Sequence, residues 1–175
     1  MDVTQNYFQV FNIPSAFVID TSELATRYRE LQKGVHPDKF ANASVREKRM
    51  AVQYAAFINE AFNVLATPLS RAQYLLELNG VALDQQGTAD IDTLFLMEQV
   101  EIREALADIK SQQGSEDELK QIRQQVQLQS QNLIDVYSDS ISKGDLLAAK
   151  KAVLKLQFMD KITQDIDNLE EELFD

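Results

Sequence analysis

One histidine and no cysteine occur among 175 residues, and that inventory settles most of the chemistry the chain could perform. Disulfides, thiolate nucleophiles and thiolate-ligated zinc or iron–sulfur sites are excluded. His36 alone leaves an ordinary zinc site without partners, so no metal site is expected. A Ser-His-Asp triad would have to run through His36, and no Gly-x-Ser-x-Gly elbow presents a serine to it. The expectation is a chain with no catalytic residue and no cofactor, and not an enzyme. His36 lies just before Pro37 and Asp38, where a histidine can cap the helix that ends there or, less readily, act as a general base.

A second group of residues is unusual for its placement. On a helical wheel of residues 91–109, Ile91, Phe95, Ile102, Leu106 and Ile109 share an arc of about 60°, which marks the face to be buried. Leu96, Met97 and Val100 fall outside that arc, beside Glu101 and Glu104. Large apolar groups with an acidic border suit contact with a protein that has a small, partly basic surface. Burial of both sides of the helix, by a bundle and by the first domain, is the other reading. Phe158 on the last helix aligns with Leu147 and Leu154 and apart from Ala149, Val153 and Leu156, so core packing and partner contact both remain open for it.

Helices must position these groups. With only 5 Gly and 3 Pro, and with Leu, Ala, Gln, Glu and Lys abundant, the composition predicts an all-α protein. Tyr7 to Ile13 form a short apolar run closed by Pro14, enough for a turn or two of helix that plugs a core. Asp20-Thr21-Ser22-Glu23 supplies N-caps ahead of a buried stripe at Leu24, Tyr28, Leu31 and Val35. This helix carries Arg29 and Lys33 one turn apart on its outer face, with Arg27 on the flank. Pro37 stops it at His36, which makes His36-Pro37-Asp38 a loop. A helix over about 45–65, apolar at Met50, Tyr54, Phe57, Ile58, Ala61, Phe62 and Leu65, can pack antiparallel against the first. Pro68 then opens a further segment through Tyr74 to Leu78.

From Asn79 to Asp90 periodicity lapses and Gly80, Asp84, Gly87 and Thr88 gather. The chain is therefore expected to divide into a domain over 1–78, a linker over 79–89 and a domain over 90–175. The second half reads as helices over about 90–110, 115–143 and 145–173. Their short links imply an antiparallel three-helix bundle, and Ser115 with Glu118 has the spacing of a capping box.

The net charge of −11 argues against nucleic-acid partners, which need clustered Lys and Arg, and favours basic ones. Residues 1–6 show no basic leader, and no run approaches ~20 apolar residues, so a cytoplasmic protein with no membrane partner is expected.

The context of His36 goes further than its identity. Val35-His36-Pro37-Asp38-Lys39-Phe40 joins two amphipathic helices, the first basic on its outer face, and over residues 6–78 the chain resembles the J domain. The opening Asn6-Tyr7-Phe8-Gln9-Val10-Phe11-Asn12-Ile13 stands in place of the usual Asp-Tyr-Tyr-x-x-Leu-Gly-Val, and Ile58-Asn59-Glu60-Ala61-Phe62-Asn63-Val64-Leu65 matches the later helix. Phe40 departs from the usual Asn, and Pro68-Leu69-Ser70-Arg71-Ala72-Gln73-Tyr74-Leu75-Leu76 departs from the usual ending. Together with Phe95-Leu96-Met97-Glu98-Gln99-Val100-Glu101-Ile102-Arg103-Glu104, these departures make the chain resemble the HscB-type J-domain co-chaperones of bacterial iron–sulfur cluster biogenesis, across nearly its whole length.

The resemblance implies an N-terminal J domain with an antiparallel helical hairpin, followed by a C-terminal three-helix bundle. It implies that His36, Pro37 and Asp38, with Arg29, Lys33 and Lys39, engage an HscA-like, DnaK-type ATPase chaperone and promote its ATP hydrolysis. Pro37 would fix the turn, Asp38 offer a charge-assisted acceptor and His36 donate from one ring nitrogen. A solvated helix face is the plainer use of the basic residues. The resemblance further implies that Leu96, Met97, Val100, Glu101 and Glu104, with Phe158, hold an IscU-like scaffold. A J protein serving another client and a His36-based enzyme are the competing readings.

Overall fold

The structure is a computed structural model that describes residues 4–83, 91–112 and 115–174. Seven α-helices and one 3-10 turn occur among these residues, and no strand. The chain divides into two compact units, the first ending at Leu75 and the second beginning at Leu76. That break lies inside a helix, a few residues ahead of the linker expected over 79–89, of which residues 84–89 lie outside the described residues.

The first unit opens with α1 (Tyr7–Val10), held by a reciprocal cap. The Gln9 amide donates to Asn6 Oδ1 and the Asn6 amide to Gln9 Oε1, both at 2.9 Å. One turn suffices to drive Phe8 and Phe11 into the core, where both are almost wholly buried. The Tyr7 ring stacks on Tyr74 at 4.4 Å, and its amide donates to the Tyr74 hydroxyl at 3.0 Å.

Helix α2 (Thr21–Gly34) is capped by Asp20, whose carboxylate accepts from the Ser22 and Glu23 amides at 2.8 and 3.1 Å. Helix α3 (Val45–Ala66) starts in a capping box of Ser44 and Glu47. The two run antiparallel: Tyr28 stacks on Phe62 at 4.1 Å, while Gln32, one turn later, reaches back to Asn59. Of the expected inner stripe of α2, Leu24 and Val35 are buried and Tyr28 and Leu31 half-buried. On α3 the expected inward position at Met50 belongs to Ala51, and Met50 is exposed.

Helix α4 (Pro68–Leu78) carries Arg71, which is buried. Its Nη1 donates to the Leu65 carbonyl at 2.6 Å, satisfying one of the orphan acceptors at the end of α3, and its guanidinium lies 5.3 Å from the Phe17 ring centroid. One arginine thus ties α4 to α3 and to the loop before α2.

The second unit is a three-helix bundle of α5 (Thr93–Gln112), α6 (Glu116–Lys143) and α7 (Leu146–Phe174). Its core draws on Phe95, Ile102, Leu106, Leu119, Ile162 and Ile166. Helix α6 begins in the Ser115 and Glu118 capping box read from spacing and ends at Gly144, whose φ of 74° is the left-handed conformation that glycine adopts without strain. The Asp145 amide then donates back to the Ser140 carbonyl at 2.9 Å, and the chain reverses within two residues. Arg123 near the start of α6 bridges Asp167 and Glu170 near the end of α7 at 2.5 and 2.6 Å, as antiparallel helices require. Among the described residues no helix is long and apolar enough to cross a membrane.

Candidate functional site

Two surfaces gather the residues singled out above, one in each unit. The first is built at the end of α2. The Val35 amide donates to the Gln32 carbonyl at 3.2 Å and closes the helix at Gly34, two residues earlier than proline placement predicts. His36 is not the tail of that helix. It caps the 3-10 turn Pro37–Phe40, with the Asp38 amide donating to His36 Nδ1 at 3.3 Å. What reads as a loop is thus an ordered turn, because proline at its first position suits a helical start and the imidazole accepts the amide left over.

Nδ1 is thus engaged within the turn, and Nε2 is the ring nitrogen left for a partner. The Asp38 carboxylate stands 3.4 Å from the same Nδ1, and the two side chains are 60% and 91% exposed. Arg29, Lys33 and Lys39 are exposed as well. Arg29 donates to Thr26 Oγ1 at 3.2 Å, whereas Arg27 is held by Glu23 at 2.6 Å. The turn and the outer face of α2 therefore offer a donor, an acceptor and cations on one unit.

The second surface lies on α5. Ile91, Phe95, Ile102, Leu106 and Ile109 are all buried, as the wheel predicts. Met97 is 58% and Val100 54% exposed, and Glu101 and Glu104 are exposed beside them. Leu96 sits at the margin, half-buried against the core. Phe158 takes a similar position on α7: half-buried, with its ring edge-on to Phe95 at 6.3 Å and 88°.

Two residues of α5 were missed from sequence. Leu94, 68% exposed, extends the open arc by one turn, and its spacing of three and seven from Met97 and Glu101 was the available signal. Gln99, only 2% exposed, turns inward, and its spacing of four from Phe95 and three from Ile102 was the available signal.

The start of α5 is pinned. Asp92 Oδ1 accepts from the Phe95 amide at 2.9 Å, an N-cap, and Oδ2 accepts from Lys155 Nζ on α7 at 2.5 Å. The Lys155 hydrogen bond, then that of the Phe95 amide, holds the Asp92 carboxyl below its usual pKa. Among the described residues no group of His, Asp and Glu side chains could hold a metal ion.

The family model described as HSCB C-terminal oligomerisation domain matches residues 91–167. A curated relative from Shewanella denitrificans, a co-chaperone protein HscB homolog, is 43% identical over 97% of this chain and 99% of its own length. This chain belongs to the HscB family of co-chaperones. The solved chaperone HscB from Vibrio cholerae is 36% identical with a TM-score of 0.88, covering 97% of this chain and 100% of its own. Human co-chaperone HscB is 32% identical with a TM-score of 0.92, covering 99% and 86% respectively. Membership in the HscB family assigns a J domain to the first unit, the helical bundle to the second, and a co-chaperone role in iron–sulfur cluster assembly to the whole.

Proposed function

We propose that this HscB-type chain is a non-catalytic adaptor. Its C-terminal bundle holds an IscU-like scaffold while the His36 turn engages an HscA-like chaperone and stimulates its ATPase, in the cytoplasm. In this reading the J domain spans 1–78, a linker 79–89 and the scaffold-binding bundle 90–175. Tethering both partners to one chain raises the effective concentration of scaffold at the chaperone, which supplies specificity without tight binding at either end.

The observation that carries the reading is the division of α5. One face fills the bundle core, while Met97 and Val100 stand more than half exposed beside Glu101 and Glu104. Solvent-exposed apolar groups rimmed by charge are the makings of a protein contact. On the first unit, His36, Asp38, Arg29, Lys33 and Lys39 hold the polar and cationic groups of the chaperone contact.

The test is ATP hydrolysis by the chaperone in the presence of scaffold. His36→Gln is expected to abolish stimulation while scaffold binding persists. Leu96→Ala with Met97→Ala is expected to weaken scaffold binding by about tenfold or more and to remove the scaffold-dependent part of the stimulation. Wild-type behaviour of either variant removes the corresponding half of the reading.

A further inference from the structure

Lys155 is a cation with most of its side chain covered, at 23% exposure, on the α7 turn that precedes Phe158. Its ammonium donates to Asp92 and lies 5.0 Å from the centroid of the Phe95 ring, within the range in which a cation is attracted to an aromatic face. Phe95 in turn meets Phe158 edge-on, and the Phe95 amide is bound by the other oxygen of Asp92. Asp92 at the N-cap of α5, Phe95 within it and two residues of α7 are thus linked in one chain of contacts.

This linkage bears on Phe158 more than on stability. Phe95 is buried, at 8% exposure, and Phe158 only in part, so the Phe158 ring lacks the close packing on every side that fixes a core rotamer. The ring contact it makes is the edge-on one with Phe95, at 6.3 Å and 88°, a geometry that aromatic pairs favour. Asp92 is itself largely open to solvent, at 55%, and an ion pair with one exposed partner contributes little to folding.

We propose that Lys155, paired with Asp92, is a positioning residue for scaffold recognition: it holds the Phe95 ring on which Phe158 is seated and so keeps Phe158 in one docking surface with Leu96 and Met97. This rests on the reading that the α5 arc binds an IscU-like scaffold. Lys155 acts through Phe158, and its ammonium does not touch the partner.

The experiment is titration of the full-length chain with recombinant apo IscU-like scaffold, alongside nuclear Overhauser contacts between the Phe95 and Phe158 rings in the free protein. Lys155→Met keeps the aliphatic stem and removes the charge. It is expected to weaken binding about five- to tenfold, leave the melting temperature unchanged and erase the ring contacts. Lys155→Arg is expected to restore binding to within about twofold. Asp92→Asn, which keeps the N-cap, is expected to weaken binding in the same direction. In a Phe158→Ala background, Lys155→Met is expected to change affinity by less than about twofold. Equal losses in both backgrounds, or no loss with ring contacts intact, overturn the positioning role. A wild-type chain that does not bind scaffold, or a Met97→Ala variant that binds normally, overturns the underlying reading instead.

Discussion

Leu94, Met97 and Val100 put three large apolar side chains in water along two turns of one helix. None of them serves the core, so removing one should leave stability within about 0.5 kcal/mol. Leu94→Ala is therefore expected to leave the thermal midpoint unchanged while weakening scaffold binding about three- to tenfold, as measured by calorimetry; unaltered affinity would confine the surface to Leu96 and beyond. Single residues were legible where one helix defines their neighbours. The wheel placed Phe95 and Ile102 inward and Met97 outward because both assignments depend only on the 100° step. Lys155 was not legible in the same way, since its partners Asp92 and Phe95 lie on another helix and no periodicity connects them. His36 fell between these cases: its solitude argued against a catalytic reading, but its use of Nδ1 to cap the Asp38 amide depends on the fold of the turn.

Helix starts were more legible than helix ends. Asp20 and Ser115 each carry a side chain that accepts a specific amide, a local geometry that sequence spacing captures. The end of α2 shifted to Gly34 because the turn at Pro37 claims His36 as its own cap. The exchange of Met50 for Ala51 on the inner face of α3 is a shift of one residue, a 100° step that a broad apolar face does not resolve.

The caps also make a statement about pH. The Glu47 carboxyl is held below its usual pKa, first by the Ser44 hydroxyl and then by the Ser44 amide. The folded state therefore binds fewer protons than the unfolded state in that range. The stabilisation is complete above the ordinary glutamate pKa and is lost as pH falls through the depressed one. Glu47→Gln, which keeps the reciprocal cap, is expected to give a shallower fall in stability on acidification, read from urea midpoints across a pH series. An acid slope identical to wild type would show that the cap does not couple to proton binding.

At the scale of the whole chain, the net charge conceals a partition. Residues 1–75 hold 8 Lys and Arg against 7 Asp and Glu, and residues 76–175 hold 9 against 21. Nearly all of the negative field therefore belongs to the unit proposed to bind the scaffold. Such a field speeds the encounter with a basic partner and is screened beyond about 10 Å at 0.1 M salt. The association rate with scaffold is expected to fall as salt rises, while the dissociation rate, set by apolar contacts, changes little; stopped-flow mixing reads both, and a salt-independent association rate would remove the electrostatic part of the account. The division into an N-terminal hairpin and a C-terminal bundle was legible because loss of periodicity and turn-forming residues coincide near Gly80, although the compact units part at Leu75, inside α4. An adaptor works only if both contacts reside on one chain, so two half-defective chains should not complement each other in trans. With chaperone and scaffold present, the His36→Gln protein and the Leu96→Ala, Met97→Ala protein are mixed and ATP hydrolysis is measured. The mixture is expected to give no more stimulation than the sum of the two variants alone, and recovery of the wild-type rate would contradict the adaptor.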